Sequence, residues 1–206
     1  MSLIRADGVN FSYFGSLEPV FTNLNFTIDS SWRTGLIGAN GSGKTTLFKL
    51  LCGEEKSGSK IISNVRFVRF PFDADPYESV GDIVARCGEA WRLTRELSLL
   101  GLGKEIRYRP LGTLSGGERT KVMLAVLFCT DGFPLIDEPT DSLDMRGRER
   151  LAEYLRGKRG YIVASHDRVF LDRCTDHTLA LSGGGAEVVA GSYCVWKAVS
   201  YTHLRA

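Results

Sequence analysis

A chain of 206 residues, 43% hydrophobic and 24% charged, has the makeup of one globular domain with or without a subdomain, not of a disordered or fibrous polymer. Lys and Arg number 26 against 24 Asp and Glu, and the resulting net charge of +2 is too small to make polyanion binding a property of the whole chain. No apolar run approaches the roughly 18 to 20 residues that span a bilayer, and the N-terminus lacks a basic segment followed by an apolar core, so neither membrane insertion nor a secretory signal is predicted.

Strand-like and helix-like runs alternate, which argues for α/β construction. Residues Leu3 to Val9 read as a first strand, and Leu24 to Ile28 alternates apolar and polar residues as a half-buried strand does. Thr34 to Ile37 is a short apolar strand that ends in a glycine-rich turn, and Lys44 to Leu51 then reads as a helix. Ile61 to Phe70 is a further candidate strand. Asp82 to Leu102 looks mostly helical, with Ile83, Trp91, Leu97 and Leu100 apolar, and about residues 71–113 form a small helical subdomain. Gly116 to Cys129 is a strong amphipathic helix, followed by a buried strand at Phe133 to Ile136, a helix at Arg148 to Arg156 and a strand at Tyr161 to Ser165. A short helix at Asp167 to Cys174 precedes two strands at His177 to Leu181 and Glu187 to Ala190. Cys52, Cys87, Cys129, Cys174 and Cys194 are odd in number and lack Cys-x-x-Cys spacing, which predicts buried or half-buried free thiols in a reducing cytoplasm.

Two segments carry chemistry on their own. Gly38-Ala39-Asn40-Gly41-Ser42-Gly43-Lys44-Thr45 fits Gly-x-x-x-x-Gly-Lys-[Ser/Thr] at every fixed position, and it lies between a predicted strand and a predicted helix. Glycines let the backbone curl so that successive N–H groups point at phosphate oxygens, and the helix N-terminus adds partial positive charge. Lys44 can then reach the β- and γ-phosphates, and the Thr45 hydroxyl can bind Mg²⁺. The second segment is Phe133-Pro134-Leu135-Ile136-Asp137-Glu138, an apolar run ending in two acids. Successive strand residues point to opposite faces, so Asp137 can hold the Mg²⁺ shell while Glu138 acts as the general base on an attacking water.

Three further segments narrow the class: Leu114-Ser115-Gly116-Gly117-Glu118 at the start of the long helix, Asp137-Glu138-Pro139-Thr140-Asp141-Ser142-Leu143-Asp144, and Ser165-His166-Asp167-Arg168. Together with the phosphate loop, and in this order, they resemble the ATP-binding-cassette ATPases over nearly the whole chain, Leu3 to about Trp196. The resemblance implies a P-loop NTPase core with a mostly parallel sheet flanked by helices, an N-terminal antiparallel β element and a small helical subdomain. It implies that MgATP is bound and hydrolysed at a composite dimer interface. ATP would lie on Gly38, Ala39, Asn40, Gly41, Ser42, Gly43, Lys44, Thr45 and Thr46, with adenine on Tyr13 or, as a substitute, Phe14. Ser115, Gly116 and Gly117 would meet the γ-phosphate held by the opposite domain, on a bare helix N-terminus. Asp144 would sit at that interface, and His166 would touch the γ-phosphate.

Within the family the chain is similar to the ABC-F class, soluble proteins that act on ribosomes. The similarity rests on Leu114 to Lys121, on Ser165-His166-Asp167-Arg168-Val169-Phe170-Leu171-Asp172 and on Gly191 to Lys197. Trp91 to Leu97 and Tyr108-Arg109-Pro110 resemble the subgroup linked to ribosome protection against antibiotics. The implied partners are a second ATPase domain, in the same polypeptide or as a homodimer, and the ribosome.

Three departures stand against the pattern. Phe72 occupies the position of the family's Q-loop glutamine, and Asp141-Ser142 replaces the Asn-His common in ABC-F proteins. Residues 198–206 read as an artefactual tail after a domain of residues 1–197, so a longer natural protein is expected. The alternative reading, the ATPase subunit of a membrane transporter, is opposed by the missing glutamine and by the Ser-His-Asp-Arg-x-Phe-Leu-Asp pattern. A nucleotide-gated module without catalysis is opposed by Glu138.

Overall fold

A computed structural model describes residues 2–56, 61–87 and 90–203. Two sheets form. In the first, β1 (Leu3–Phe11) pairs antiparallel with β2 (Phe21–Asp29) on one edge and with β4 (Ile61–Ser63) on the other. Ile4 and Ala6 face inward by simple alternation, but Val9 is also buried, and the register shifts between Ala6 and Val9. Gly8 absorbs the extra residue at φ 61°, a left-handed conformation that glycine adopts without penalty.

The second sheet has the order β5 (Phe67–Phe70), β6 (Phe133–Asp137), β7 (Tyr161–Ala164), β3 (Arg33–Gly38), β8 (His177–Ser182) and β9 (Gly185–Ala190). The first five strands run parallel, and β9 closes the edge antiparallel to β8. A parallel sheet needs both faces covered, and the strands read accordingly as apolar runs. Alternate residues feed two cores. Leu36, Leu135, Ile162 and Ala164 join the first sheet and α1 (Lys44–Cys52), where Leu47 and Phe48 are fully buried. Ile37, Ile136 and Val163 face α4 (Gly116–Cys129), α5 (Met145–Arg156) and α6 (Arg168–Cys174). Each such side chain taken from water stabilises the fold by about 1.5–3 kcal/mol, which makes the two apolar layers the main adhesive.

Between β5 and α4 the chain forms α2 (Val80–Cys87), α3 (Ala90–Leu99) and two short 3₁₀ turns at Lys104–Tyr108 and Leu111–Thr113. These pack on α4 through Ile83, Leu93, Leu97, Leu100, Ile106 and Leu111. A buried polar tie also crosses to the sheet-flanking helices. Glu96 on α3 accepts a hydrogen bond from the Tyr154 hydroxyl at 2.6 Å and pairs with Lys158, whose ammonium also sits over the Tyr154 and Phe128 rings.

The structure departs from the sequence reading at several points. Ile61 to Phe70 is two strands in two different sheets, because the Ser63 hydroxyl accepts from the Val65 N–H and turns the chain. Trp91 is exposed: the buried stripe of α3 is Leu93, Leu97 and Leu100, and a position two residues before Leu93 lies on the opposite side of a helix. The single helix expected over Asp82 to Leu102 is two named helices, with residues 88 and 89 outside the described ones. A last helix not read from the sequence, α7 (Tyr193–His203), starts where Asp172 accepts from the Cys194 N–H, and it runs through part of the segment read as a tail. Among the cysteines, Cys129 and Cys174 are buried and Cys52 half-buried, but Cys194 is exposed; the side chain of Cys87 lies outside the described residues.

Candidate functional site

Three adjacent strands of the parallel sheet, β6, β7 and β3, deliver their C-terminal ends to one place, which is where open α/β sheets bind ligands. From β3 the chain enters the loop Gly38 to Gly43. Gly41 and Gly43 hold φ of 82° and 93°, and Ser42 N–H bonds the Ala39 carbonyl at 3.1 Å, so the loop curls back over the start of α1. No side chain caps α1, whose N-cap is Gly43, and its first N–H groups stay open toward the loop. Close packing also demands glycine here: a Cβ on Gly43 would lie 2.7 Å from the Phe21 ring and from Val20, and one on Gly38 would lie 2.3 Å from the Ser42 hydroxyl. Lys44 folds its ammonium onto the carbonyls of Gly38 at 3.0 Å and Ala39 at 3.3 Å.

Asp137 ends β6, and Glu138 follows it just past the strand. Asp137 Oδ2 accepts from the Thr45 hydroxyl at 2.9 Å, which puts two hard oxygen donors side by side. No group of three or more His, Cys, Asp or Glu able to hold a metal ion is present among the described residues, so a metal at Thr45 and Asp137 would complete its shell with water and ligand oxygens, as Mg²⁺ does. Glu138 adopts φ 45°, a conformation that a non-glycine residue holds only when its surroundings impose it. Its N–H donates to the Ala164 carbonyl at 2.9 Å, which pins the acid to the end of β7. Glu138 Oε2 accepts from the His166 N–H at 3.1 Å, and the imidazole Nε2 lies 3.2 Å from Oε1, close enough for an ionic contact but off the hydrogen-bond line, so that Oε1 is left without a hydrogen bond. Burial pushes the Glu138 carboxyl above its ordinary pKa; the Asp141 and Asp137 charges push the same way, and the His166 N–H and ring oppose it.

Beneath this pair lies a buried hydroxyl pair that the sequence reading missed. Thr140 Oγ1 and Ser165 Oγ are 2.9 Å apart, and Ser165 Oγ also accepts from the Asp167 N–H. These residues lie 25 apart in the chain, so no local pattern announces the bond.

Ser115, Gly116 and Gly117 stand elsewhere. Among the described residues no hydrogen bond joins them to the Gly38–Thr46 loop. A Cβ on Gly116 would lie 3.4 Å from the Ser142 side chain and one on Gly117 3.2 Å from its carbonyl, and Thr120 bonds the Ser142 hydroxyl at 2.7 Å, so the start of α4 belongs with the turn leading to Asp144. Asp144 itself caps α5 by accepting from the Gly147 N–H. The α4 terminus is not bare, as the small residues had suggested. Ser115 and Glu118 form a reciprocal capping box, and the bonds from Ser115 hold the Glu118 carboxyl below its ordinary pKa. The N–H groups of Gly116 and Gly117 lie outside that exchange.

Tyr13 is partly exposed beside α1, edge-on to Phe11, with its hydroxyl 3.1 Å from Thr46 Oγ1; Phe14 is fully exposed. Phe72 does not reach the acids: it packs on the core and lines a 310 Å³ cavity with Val68, Ile83, Val126 and Leu127. A cavity of about 610 Å³ opens along the loop itself, between Gly38–Ser42, His166, Tyr193 and Trp196.

A glycine loop ahead of a helix, a threonine and an aspartate in bond contact, and a partly buried acid facing a histidine define an ATPase domain of the P-loop type. Residues 21–141 match the family model described as ABC transporter, and the chain belongs to that family. It is 35% identical over 182 residues to the ribosome protection protein VmlR of Bacillus subtilis (strain 168), covering 82% of this chain and 33% of that protein. It is 29% identical over 217 residues to ATP-binding cassette sub-family F member 3 of Homo sapiens, covering 98% of this chain and 30% of that one. The chain thus spans about one third of the length of these relatives. The fold matches a bacterial ABC transporter cassette solved as a dimer, with TM-score 0.77 and 19% identity, over 92% of this chain and 98% of that one. Among the described residues no helix is long and apolar enough to cross a membrane.

Proposed function

We propose that this domain binds MgATP on Gly38 to Thr46 and hydrolyses it once a second cassette closes over the γ-phosphate. The observation that carries the reading is the division of the site within one chain. The loop, Asp137, Glu138 and His166 converge at three neighbouring strand ends, while Ser115 to Gly117 share no hydrogen bond with them. Two copies of the domain, or two domains of one polypeptide, would each supply what the other lacks.

The roles follow from position. The loop N–H groups and the α1 terminus hold the phosphates, Lys44 leaves the Gly38 and Ala39 carbonyls for the β- and γ-oxygens, and Tyr13 offers its ring to adenine. Thr45 and Asp137 would hold a Mg²⁺ ion, which would supply positive charge against the negative phosphate oxygens. Glu138 takes the proton of the attacking water, and the His166 N–H keeps its carboxylate aimed. The Gly116 and Gly117 N–H groups of the other domain add donors where negative charge develops, and Asp144 lies at the same contact.

The domain serves a cytoplasmic ABC-F protein whose target is the ribosome, which is what the names of relatives such as VmlR support. The alternative, a subunit docked on a permease, loses support from Phe72, an apolar ring in the wall of the cavity beside the helical subdomain where the pattern calls for a glutamine. The test is paired. Hydrolysis should rise more steeply than linearly with protein concentration, and the Glu138→Gln variant in ATP should sediment with ribosomes and not with membrane vesicles. Full-rate hydrolysis by strictly monomeric protein, or sedimentation with the vesicles alone, would overturn the reading.

A further inference from the structure

We infer that Arg148 is a positioning residue that locks the segment leading to Asp144 to the loop carrying His166, so that closure at one is felt at the other. The two segments leave different strands, β6 and β7. Arg148, in the first turns of α5, reaches both with one side chain: its Nε donates to the Leu143 carbonyl at 3.1 Å, and its Nη1 lies 3.3 Å from Asp167 Oδ2. The planar guanidinium presents its donors in a fixed fork, so holding both acceptors sets the distance between them.

Neither end of this clamp is needed for local helix structure. Asp144 already caps α5 through the Gly147 N–H, and Asp167 caps α6 with its other oxygen, which accepts from the Phe170 N–H at 3.0 Å. Arg148 therefore uses the acceptors those caps leave over. Its neighbours Arg146, Glu149 and Arg150 are exposed while Arg148 is half-buried against a 530 Å³ cavity between α5 and α6. A half-exposed ion pair adds little to global stability, so its effect is local.

A second tie joins the same two segments. The Thr140–Ser165 hydroxyl pair lies on the buried side and acts as a fixed pivot, and Arg148 on the solvent side is the arm that can release. His166 lies between Ser165 and Asp167 in the chain, and its N–H bonds Glu138. Movement of Leu143 and Asp144 at a domain contact would pull Asp167, and with it the His166 N–H that aims the Glu138 carboxylate. Sequence alone gives no sign of this, since Arg148 reads as part of a solvated basic cluster.

The clamp rests on the hydrolysis reading above, and two measurements separate them. In steady-state kinetics, Arg148→Met should lower kcat roughly tenfold with KM and nucleotide affinity within about twofold, the pattern of lost alignment and not lost binding. Arg148→Lys, which can engage one acceptor at a time, should recover part of the loss. The double variant Arg148→Met with Asp167→Asn should be no slower than the slower single variant. A kcat unchanged in Arg148→Met while the wild type hydrolyses ATP would overturn the clamp. Hydrogen exchange needs no activity: Arg148→Met should speed exchange at both the His166 and Leu143 amides, and exchange unchanged at His166 would overturn it even in a protein that binds ATP without turnover. A wild type without turnover but with faster exchange in the variant would refute the hydrolysis reading and keep the clamp.

Discussion

His166 holds Glu138 from two sides: its backbone N–H donates to one carboxylate oxygen at 3.1 Å, and its ring nitrogen lies 3.2 Å from the other. The first contact fixes where the carboxylate points regardless of the ring's protonation. The second contributes charge only when the ring is protonated. Glu138 is therefore aimed by the main chain, and its basicity is set chiefly by burial, which raises its pKa.

That relationship gives a prediction with two signs. Glu138→Gln should lower kcat by roughly 10²-fold or more while MgATP binding stays near wild type, since the amide keeps the shape but cannot take a proton. The same variant should be more stable than wild type at pH 7. A carboxyl with a raised folded-state pKa contributes stability below its unfolded pKa and loses it as pH rises through the folded one, so at neutral pH the wild type carries an unfavourable buried charge that the amide removes. Thermal melts of the two proteins across pH 4 to about pH 8 check this, with the gap narrowing toward acid. A wild type more stable than the variant at pH 7 would show that the carboxylate is favourably paired.

What the sequence disclosed and what it withheld divide along one line. The loop Gly38 to Thr45 stood out because strand, glycines, lysine and helix are contiguous, and β3, the loop and α1 follow one another in that order. Asp137 and Glu138 stood out as two acids closing an apolar run, but the turn of Glu138 out of β6 at φ 45° did not, because the Ala164 carbonyl and His166 N–H that hold it come from another strand. Thr140–Ser165 and the Arg148 clamp were not, because they join segments 19 to 25 residues apart through side chains common in any turn or helix. The end of β4 was missed for a smaller reason: Ser63 in an apolar run looks like an outward strand residue, and only its hydroxyl bond to Val65 makes it a turn. Trp91 was misplaced because apolar character was counted without fixing the phase of α3, which Leu93, Leu97 and Leu100 set.

Lys44 bonds two loop carbonyls, so its ammonium is already partly satisfied within the loop. Lys44→Met should therefore leave the fold nearly as stable as wild type, within about 1 kcal/mol, because exposed or half-exposed polar contacts of this kind contribute little. Affinity for ATP should fall by at least about tenfold, since a charge-assisted contact to phosphate is worth more than one to a carbonyl. Urea denaturation and calorimetric titration of the same sample test both halves. Binding at wild-type strength would remove Lys44 from the phosphate site.

The Glu96–Lys158–Tyr154 cluster should behave as a unit joining the helical segment to α5. Glu96 is 9% exposed and carries both contacts on the same oxygen. Glu96→Ala leaves a mostly buried ammonium and an unpaired phenol, for a cost of about 3 kcal/mol, and Tyr154→Phe should cost about 1–3 kcal/mol for a lost bond to a charged acceptor. The double variant Glu96→Leu with Lys158→Met should cost less than the single Glu96→Ala, because it removes both charges and leaves apolar contacts with Phe128 and Tyr154. Urea midpoints rank the three. A double variant less stable than Glu96→Ala would mean that the ion pair stabilises the fold beyond its own desolvation.

Gly43→Ala isolates backbone geometry from chemistry. At φ 93° an L residue is strained by about 1–2 kcal/mol, and a methyl 2.7 Å from both Phe21 and Val20 adds an overpacking cost of about 1–3 kcal/mol because those atoms belong to a filled core. The sum, about 3 kcal/mol, should lower Tm by roughly 6–12 °C for a domain of this size. Relief can come only by moving the loop, and moving the loop withdraws the N–H groups at the start of α1, so MgATP should protect the variant less than the wild type in the same melts. Gly41→Ala is the contrast: its φ of 82° carries the strain, but no atom lies within 4 Å of the added methyl, so it should lose about 1–2 kcal/mol and no more. Equal Tm losses in the two variants would assign the whole effect to backbone strain and none to the contact with Phe21.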